Sequence, residues 1–435
     1  MSTVNIGVLG LGTVGSGTVN VLARNAQEIT RRTGRKIKVT HAAARDLSIA
    51  RECDTTDIQL TTDPFAVVRD ADVEIIVELI GGTTLALQLV MEAIEAGKHV
   101  VTANKALIAC HGNEIFKAAS QRGVMVAFEA AVAGGIPIIK VMREALAGNK
   151  IEWLAGIING TGNFILTEMR DKGRDFNDVL EDAQRLGYAE ADPAFDIEGI
   201  DAAHKLTILS SIAFGIPLQF SKAYTEGLTN ITQEDVRYAE ELGYRIKHLG
   251  ISRRTAQGIE LRVHPALVPE RRLLANVDGV MNAVVVKGDA VGPTLYYGAG
   301  AGADPTASAV VGDIVDVVRA LGSQEAQVPY LAFQPDALSD FPILDMGLVE
   351  TAYYLRMQVS DQPGVLASIS KVLADQHISI EALIQKEPEE GCDRVPLIML
   401  THCVQERRME KALQEIEELA DIDGKITRIR VESLG

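Results

Sequence analysis

The chain has 435 residues, of which 47% are hydrophobic and 23% are charged, and its formal net charge at pH 7 is −17. Its length predicts two or three domains, its acidity argues against a general nucleic-acid-binding protein, and no apolar run approaches the about 20 residues of a membrane helix. A strand pattern begins too near the first residue to leave room for a signal peptide. The four cysteines lack metal-ligand or disulfide spacing, so we expect a cytosolic protein with reduced thiols.

The first 130 residues alternate strand and helix patterns. Helical stretches such as 84–96 separate strand patterns at 4–9, 38–43, 74–79, 99–101 and 124–128. This alternation predicts an α/β domain in which helices cover both faces of a parallel sheet, the doubly wound arrangement.

The rest of the chain predicts two further parts. Residues 135–300 mix helices with strand-like runs such as 282–287, and a helical pattern at 306–321 follows the loop GAGAGADP. A segment with two prolines and no periodicity, near 335–348, indicates a domain boundary. Beyond it, strands at 353–359, 378–384, 396–403 and 425–431 and helices at 366–375 and 406–419 give the order βαββαβ, which is typical of a ferredoxin-like module.

A glycine-rich loop follows the first strand directly. In GLGTVG, Gly10, Gly12 and Gly15 have the dinucleotide-binding spacing, and Thr13 and Val14 lie between the second and third glycines. The first glycine permits a tight turn, the second permits close approach of a pyrophosphate, and the third permits close packing of helix on strand. Because the loop lies between a strand and an apolar helix near the N-terminus, it predicts a nucleotide site.

The end of the second strand bears on the choice of nucleotide. Arg45 could pair with a 2′-phosphate, and Asp46 could bind a free ribose hydroxyl. Alternatively, one of them caps the next helix. We expect NADP, with NAD tolerated.

Several polar residues in the first half of the chain point to catalysis. Asp201 and Lys205 lie one helical turn apart in an apolar helix pattern, which fits either a surface ion pair or a carboxylate that holds a catalytic ammonium. Lys105 follows a predicted parallel strand, at the edge where ligands of such sheets bind, or is a solvated loop lysine. NGTGN at 159–163 is either a ligand-binding loop or an ordinary turn, and Glu190 is either functional or a surface acid.

These segments together resemble the homoserine dehydrogenases, specifically the monofunctional bacterial type with a C-terminal ACT regulatory module. The resemblance rests on GLGTVG, VVTANK, FEAAVAGGIP, NGTGN, GYAEADPAFDIEGIDAAHK and DQPGVLASIS, in this order along nearly the whole chain. Gly162 departs from the family, in which threonine often occupies that position.

The resemblance implies an enzyme that interconverts L-aspartate 4-semialdehyde and L-homoserine with NAD(P)H, in the route to threonine, methionine and isoleucine. It makes Lys205 and Lys105 the active-site lysines, with Lys105 beside the nicotinamide. It makes Asp201 the acid that orients Lys205 and contacts the substrate, and Glu190 the substrate-binding carboxylate. Asn159, Gly160 and Thr161 would receive the substrate carboxylate.

Further sites follow from the resemblance. Backbone oxygens of Glu129, Val132, Gly134 and Ile136 match a site for a monovalent cation, sodium. Gly302 matches a glycine that contacts the cofactor, so the resemblance returns the helix at 306–321 to the nucleotide domain. The implied domains are a nucleotide domain of 1–133 with about 303–330, a catalytic and dimerisation domain of 134–302, a linker of 331–350 and an ACT domain of 351–435.

The ACT module implies regulation and assembly. The resemblance predicts feedback inhibition by L-threonine, with Asp361, Gly364 and Val365 near the effector, in a homodimer or homotetramer. Alternatively, the module is a structural appendage used for dimerisation.

Elementary chemistry agrees with the lysine roles. Hydride addition to a carbonyl carbon leaves a developing alkoxide, which an ammonium stabilises and protonates. A carboxylate one turn away favours the charged form of a buried lysine. An aspartate-semialdehyde dehydrogenase would need a nucleophilic cysteine, and neither Cys53 nor Cys110 has a convincing setting. A non-catalytic nucleotide- and amino-acid-binding sensor stays the alternative.

Overall fold

A computed structural model describes residues 2–190, 192–321, 328–386 and 393–434. The strands are β1 (Thr3–Leu9), β2 (Lys36–Ala43), β3 (Gln59–Thr61), β4 (Ile75–Glu78), β5 (His99–Thr102), β6 (Val126–Ala127), β7 (Ile151–Ile157), β8 (Tyr224–Thr225), β9 (Tyr244–Arg254), β10 (Ile259–Pro269), β11 (Met281–Gly288), β12 (Gly292–Ala299), β13 (Glu350–Ser360), β14 (Ile380–Gln385), β15 (Arg394–Thr401), β16 (Val404–Gln405) and β17 (Ile422–Val431). The helices are α1 (Thr13–Arg24), α2 (Ala26–Thr33), α3 (Pro64–Arg69), α4 (Thr84–Glu95), α5 (Lys105–Arg122), α6 (Ile138–Lys140), α7 (Gly160–Lys172), α8 (Phe176–Arg185), α9 (Ala194–Ile197), α10 (Ile200–Phe214), α11 (Gln233–Glu241), α12 (Ala303–Ala320), α13 (Val365–Asp375) and α14 (Glu406–Glu417).

The chain folds as two compact units. The first comprises residues 1–160, 201–223 and 280–341, and the second comprises 161–200, 224–279 and 342–435.

The first unit contains a six-stranded parallel sheet in the order β3-β2-β1-β4-β5-β6. This is the strand order of a doubly wound dinucleotide-binding fold, which confirms the predicted fold class. Helix α12 packs on α1 and contributes Val310, Ile314 and Val317 to the same core. Gly17 allows this close packing, because a Cβ there would lie 2.8 Å from the carbonyl oxygen of Ala303.

A smaller antiparallel sheet and a buried helix complete the first unit. Strand β11 pairs with both β7 and β12. Helix α10 is buried along nearly its entire length, polar residues included. Asp201, His204, Thr207, Ser210 and Ser211 are buried together with its apolar residues, so α10 lies in the interior and not at the surface.

The second unit contains a continuous sheet in the order β9-β10-β17-β13-β15-β14. The last four of these strands, with α13 and α14, form the βαββαβ module that the sequence predicts, with neighbouring strands antiparallel. Strand β17 also pairs in parallel with β10, through Ala266 with Arg430 and Leu267 with Val431. The sheet of the βαββαβ module is therefore extended by strands from residues 244–269.

The sequence-based boundaries agree with the structure to within a few residues for most elements. The prediction lacked the short edge strand β3. The resemblance-based division into four segments stays a prediction. The two units of the structure divide the chain differently, because residues 342–435 group with 161–200 and 224–279.

Two general expectations can be compared with the structure. Within the described residues, no helix is long and apolar enough to cross a membrane. Cys53, Cys110 and Cys403 are free thiols, and Cys392 lies outside the described residues.

Candidate active site

One buried carboxylate joins two lysines in the first unit. Asp201 Oδ2 lies 2.7 Å from Lys205 Nζ, and Asp201 Oδ1 lies 3.2 Å from Lys105 Nζ. The Asn159 amide donates a hydrogen bond of 2.9 Å to Asp201 Oδ2. The Lys205 ammonium also donates to the carbonyl oxygen of Ile158, at 2.8 Å. The structure therefore brings together Lys105, Asn159, Asp201 and Lys205, which are all predicted site residues.

The cluster carries a net positive charge. Burial by itself would raise the pKa of Asp201, but Lys205 and Lys105 outweigh that effect and hold the pKa well below its ordinary value. One carboxylate thus faces two ammonium groups. The surplus charge suits a site in which negative charge develops on a substrate oxygen.

Three elements of the first unit position these side chains. Asp201 and Lys205 share one face of α10, because residues four apart lie one helical turn apart. Ile158 and Asn159 directly follow β7. Lys105 is the first residue of α5, after the cap residue Asn104, whose side chain accepts a hydrogen bond from the Leu107 N–H.

His204 is a neighbour that the sequence did not single out. Its ring stacks on Phe220 with centroids 4.1 Å apart, and its Nε2 lies 3.8 Å from Cys110 Sγ. Burial, together with Lys105 and Lys205, lowers the pKa of His204 to about 4 against the opposing effect of Asp201. The imidazole is therefore neutral at physiological pH, and it adds no further charge to the cluster.

The glycine loop of the first unit fits its predicted role. Gly10 has a φ of +100°, and a Cβ there would lie 2.7 Å from the Leu79 carbonyl oxygen. A Cβ at Gly15 would lie 2.0 Å from the Gly10 carbonyl oxygen, whereas a Cβ at Gly12 would meet no atom within 4 Å. Gly12 therefore leaves room for a ligand. Thr13 and Val14 begin α1, whose N-terminal N–H groups suit phosphate.

A cleft of about 370 Å³ opens beside this loop. It is lined by Gly10, Gly12, Arg45, Asp46 and Arg51, among others. Asp46 is engaged by its own turn, because its Oδ1 accepts hydrogen bonds from the N–H and the hydroxyl of Ser48. This is a local turn and not a helix cap, because the next helix, α3, begins at Pro64 and is capped by Asp63. Of the two arginines that line the cleft, Arg51 donates hydrogen bonds to the carbonyl oxygens of Leu11 and Asp46. Arg51 was missed because it lies beyond the recognisable strand end.

The remaining substrate candidates fall on both units. Gly160 belongs to the first unit, where a Cβ would lie 2.8 Å from the Val280 carbonyl oxygen. Thr161 and Glu190 belong to the second unit. There Thr161 donates its hydroxyl to the Tyr188 carbonyl oxygen, whereas Glu190 is exposed. Their roles in substrate binding stay predictions.

The segment that contains the four cation-site candidates is a tight buried turn. Glu129, Val132, Gly134 and Ile136 are all buried, and φ is positive at Ala133 (54°) and Gly134 (44°). The Glu129 carboxylate accepts hydrogen bonds from the N–H groups of Ile139 and Lys140, so it is occupied within the protein. Burial and the neighbouring Asp313 raise its pKa to about 7. A cation here would have to rely on backbone oxygens, and the cation site that the resemblance implies stays a prediction.

Two glycines mark the remaining candidate sites. Gly302, with a φ of 122°, precedes α12 and its contact with α1. In the second unit, Gly364 has a φ of 102° and precedes α13, whose first residue, Val365, is buried. Asp361 lies in the same exposed turn. The effector role of this turn stays a prediction.

Comparison with known proteins assigns three segments of the chain. Residues 137–315 match the family described as homoserine dehydrogenase, residues 10–129 match the homoserine dehydrogenase NAD-binding domain, and residues 353–421 match the ACT domain.

Similar proteins cover the whole chain. A homoserine dehydrogenase from Pseudomonas aeruginosa is 63% identical over 435 residues, with 100% of both chains covered. The crystal structure of a homoserine dehydrogenase from Thiobacillus denitrificans has a TM-score of 0.96 at 64% identity, covering 100% of this chain and 99% of that one. A hyperthermophilic archaeal homoserine dehydrogenase in complex with NADPH has a TM-score of 0.62 at 27% identity, covering 72% and 97%.

Proposed function

This chain belongs to the homoserine dehydrogenase family and is an NAD(P)-dependent oxidoreductase, and we propose that its lysine–aspartate cluster is where L-aspartate 4-semialdehyde and L-homoserine are interconverted. The observation that carries this assignment is the buried Asp201 carboxylate, which contacts the ammonium groups of Lys205 and Lys105. A purely structural ion pair would need only one of these lysines.

Lys205 is the residue that moves the proton in this proposal. Two of the three donors of its ammonium are directed at Asp201 and Ile158, which leaves the third for the substrate oxygen. When bound, the reduced nicotinamide supplies hydride to the carbonyl carbon of the substrate. Lys205 then donates a proton to the carbonyl oxygen, and in the oxidative direction its amine accepts the hydroxyl proton.

Lys105 and the carboxylate-binding residues complete the proposed site. Lys105, at 33% side-chain exposure against 12% for Lys205, stabilises the developing negative charge from the cofactor side. The resemblance further implies that Glu190 binds the substrate ammonium and that the backbone N–H groups at Asn159, Gly160 and Thr161 receive the substrate carboxylate. A carboxylate suits an ammonium and N–H donors suit a carboxylate.

We propose that NADP is the preferred cofactor. Arg45 and Arg51 both line the cleft beside the glycine loop, whereas Asp46 is held by Ser48. Guanidinium groups pair well with a 2′-phosphate, and a similar archaeal enzyme has been crystallised with NADPH. The loop around Gly10, Gly12, Thr13, Val14 and Gly15 would hold the pyrophosphate, with Gly302 and Lys105 nearer the nicotinamide.

We further propose a monovalent cation and an effector. The positive-φ turn at Ala133 and Gly134 supports a sodium ion held by backbone oxygens of Glu129, Val132, Gly134 and Ile136. The ACT module supports inhibition by L-threonine, bound near Asp361, Gly364 and Val365 in a homodimer or homotetramer. Sodium titration of activity, and threonine titration of the wild type against an Asp361→Ala variant, which changes an exposed residue of the turn, test the two separately.

The direct test of the enzymatic site measures NADP reduction by L-homoserine. We expect Lys205→Ala to lower kcat by about 10²–10⁴-fold while NADPH affinity, followed by fluorescence, stays near that of the wild type. Lys105→Ala should lose activity and also weaken cofactor binding. Wild-type turnover in Lys205→Ala would exclude its role, and the absence of any homoserine-dependent signal in the wild type would favour the sensor alternative.

A further inference from the structure

A buried glutamate lies at the junction between the cofactor cleft and the lysine cluster. Glu78 is the last residue of β4, and it is 0% exposed. In the parallel sheet it pairs with Leu9, which precedes the glycine loop, and with Thr102, which ends β5. It therefore occupies the carboxyl edge of the sheet, where ligands of such folds bind.

Both oxygens of the Glu78 carboxylate accept hydrogen bonds from residues at or just beyond the ends of β4 and β5. Oε1 accepts hydrogen bonds from the N–H groups of Ile80 and Gly81, at 2.9 and 3.1 Å. Oε2 accepts a hydrogen bond of 2.7 Å from the Thr102 hydroxyl. Ile80 lines the cleft beside the glycine loop, so the first pair of bonds fixes part of the cleft wall.

The second bond leads to Lys105. The Thr102 hydroxyl oxygen accepts a hydrogen bond of 3.0 Å from the Asn104 N–H. The Asn104 side chain donates to the Gly82 carbonyl oxygen at 2.6 Å and accepts from the Leu107 N–H at 3.1 Å. Asn104 thus ties the turn after β4 to the first turn of α5, which carries Lys105.

The burial of Glu78 is not explained by an ion pair. Among the described residues, no lysine, arginine or histidine nitrogen lies within 4 Å of its carboxylate oxygens, and its three partners are neutral donors. Burying a carboxylate is costly when no cation compensates it. The carboxylate does, however, accept bonds from two separate segments at once, a geometry that an apolar side chain could not provide.

We propose that Glu78 is a positioning residue for the reaction, which sets the cleft wall at Ile80 and, through Thr102 and Asn104, the start of α5 and its Lys105 ammonium. The inference rests on the proposed roles of the cleft and of Lys105. Because Glu78 acts on both, its loss should weaken cofactor binding and slow turnover together. A residue that merely stabilised the fold would change the melting temperature without this paired kinetic effect.

Glu78→Gln is the first test. The amide oxygen can still accept from Ile80 and Gly81, but the amide nitrogen is a donor, so the Thr102 hydroxyl loses the acceptor of its own proton. We expect kcat to fall and the KM for NADPH to rise, each by about tenfold or more, since small misplacements of reacting groups have effects of this size. Glu74→Gln is the matched control, because Glu74 directly precedes β4 at the opposite edge of the sheet and is exposed.

Thr102 provides a second test that keeps the proposal falsifiable if Glu78→Gln does not fold. Thr102→Val removes the hydroxyl link and should lower kcat, whereas Thr102→Ser restores the link and should recover most of the activity. The combination of Glu78→Gln with Thr102→Val should cost less than the sum of the two single changes, because both break one chain of bonds.

Two results would overturn the inference. One is wild-type kcat and KM in a folded Glu78→Gln variant, and the other is equal activity of Thr102→Val and Thr102→Ser. Neither would affect the proposed function, which depends on homoserine-dependent NADP reduction by the wild type and on its loss in Lys205→Ala. Thermal melting of each variant separates kinetic effects from unfolding.

Discussion

The carboxylate of Asp201 and the ammonium of Lys205 meet at 2.7 Å in the interior of the first unit, one helical turn apart on α10. At the protein surface such a pair contributes little stability. Here the side chains are only 5% and 12% exposed, and Lys105 approaches the same carboxylate from another helix. The Asp201 carboxylate therefore holds the Lys205 ammonium in one position, as proton transfer to a substrate oxygen requires.

Asp201→Asn should show whether the Asp201 carboxylate is needed to hold the Lys205 ammonium in place. The amide keeps the size of the side chain but leaves two ammonium groups without their carboxylate, so Lys205 loses its fixed position. We expect kcat to fall by about 10²-fold or more, while NADPH affinity changes little. Steady-state kinetics and NADPH fluorescence measure the two effects, and kcat within twofold of the wild type would contradict the assignment.

Arg45 and Arg51 should set the cofactor preference. Removing either guanidinium deletes a charge-assisted contact to a 2′-phosphate, and NADH has no such group. We expect Arg45→Ala to raise the KM for NADPH by about tenfold and to leave the KM for NADH nearly unchanged. Arg51→Ala also removes the hydrogen bonds to the carbonyl oxygens of Leu11 and Asp46, so it should raise both KM values, that for NADPH more. Parallel assays with the two cofactors provide the check, and Arg24→Ala, an exposed change on α1, is the control. An equal rise in the KM for NADPH and for NADH would show that the arginines do not bind the 2′-phosphate.

The elements that the sequence predicted well are those with strong local signals. The alternation of apolar strands and helices identified the parallel sheet, and the spacing of Gly10, Gly12 and Gly15 identified the tight loop between β1 and α1. The i, i+4 relation of Asp201 and Lys205 followed from helical periodicity. These features depend on residues that are close together in the sequence, and local periodicity and backbone sterics determine them.

The features that the sequence did not predict depend on contacts between distant segments. Glu78 looks like the end of a hydrophobic strand, and only the sheet register places its carboxylate against Thr102. Likewise, the pairing of β10 with β17 joins residues far apart in the chain, and no turn or spacing signals it. Strand pairing of this kind is set by burial and register in three dimensions.

The seam between β10 and β17 should depend on a buried ionic cluster. Arg262 lies 2.8 Å from Glu260 and 2.5 Å from Glu432, and all three side chains are 5% exposed or less. Arg262→Met would leave two buried carboxylates without their main partner, which is expected to cost about 3–5 kcal/mol of unfolding free energy. Chemical denaturation measures this.

Lys386→Met is the matched control for that change. The Lys386 ammonium pairs with Glu241 at 2.7 Å, but both side chains are about 40% exposed. An exposed pair contributes at most about 1 kcal/mol. If both variants lost the same stability, the buried cluster would have no special role in the seam.

Because of His204, the free energy of unfolding should be lower in mild acid than at neutral pH. Burial, with Lys105 and Lys205, lowers the pKa of His204 in the folded state to about 4. The pKa of a histidine in an unfolded chain is about 6.5. Between these values the unfolded chain binds more protons than the folded one, so the free energy of unfolding falls as the pH drops from 6.5 to 4.

The variant His204→Gln removes this titration. We expect the difference in unfolding free energy between wild type and variant, measured in urea, to shift against the wild type by about 1–3 kcal/mol as the pH falls from 7.5 to 4.5. At pH 7.5 the histidine is neutral in both states, so that measurement reports the loss of the imidazole's contacts, including those with Phe220 and Cys110. A difference that stays constant with pH would mean that His204 takes up its proton in the folded protein, beside the two lysines that the structure places nearby.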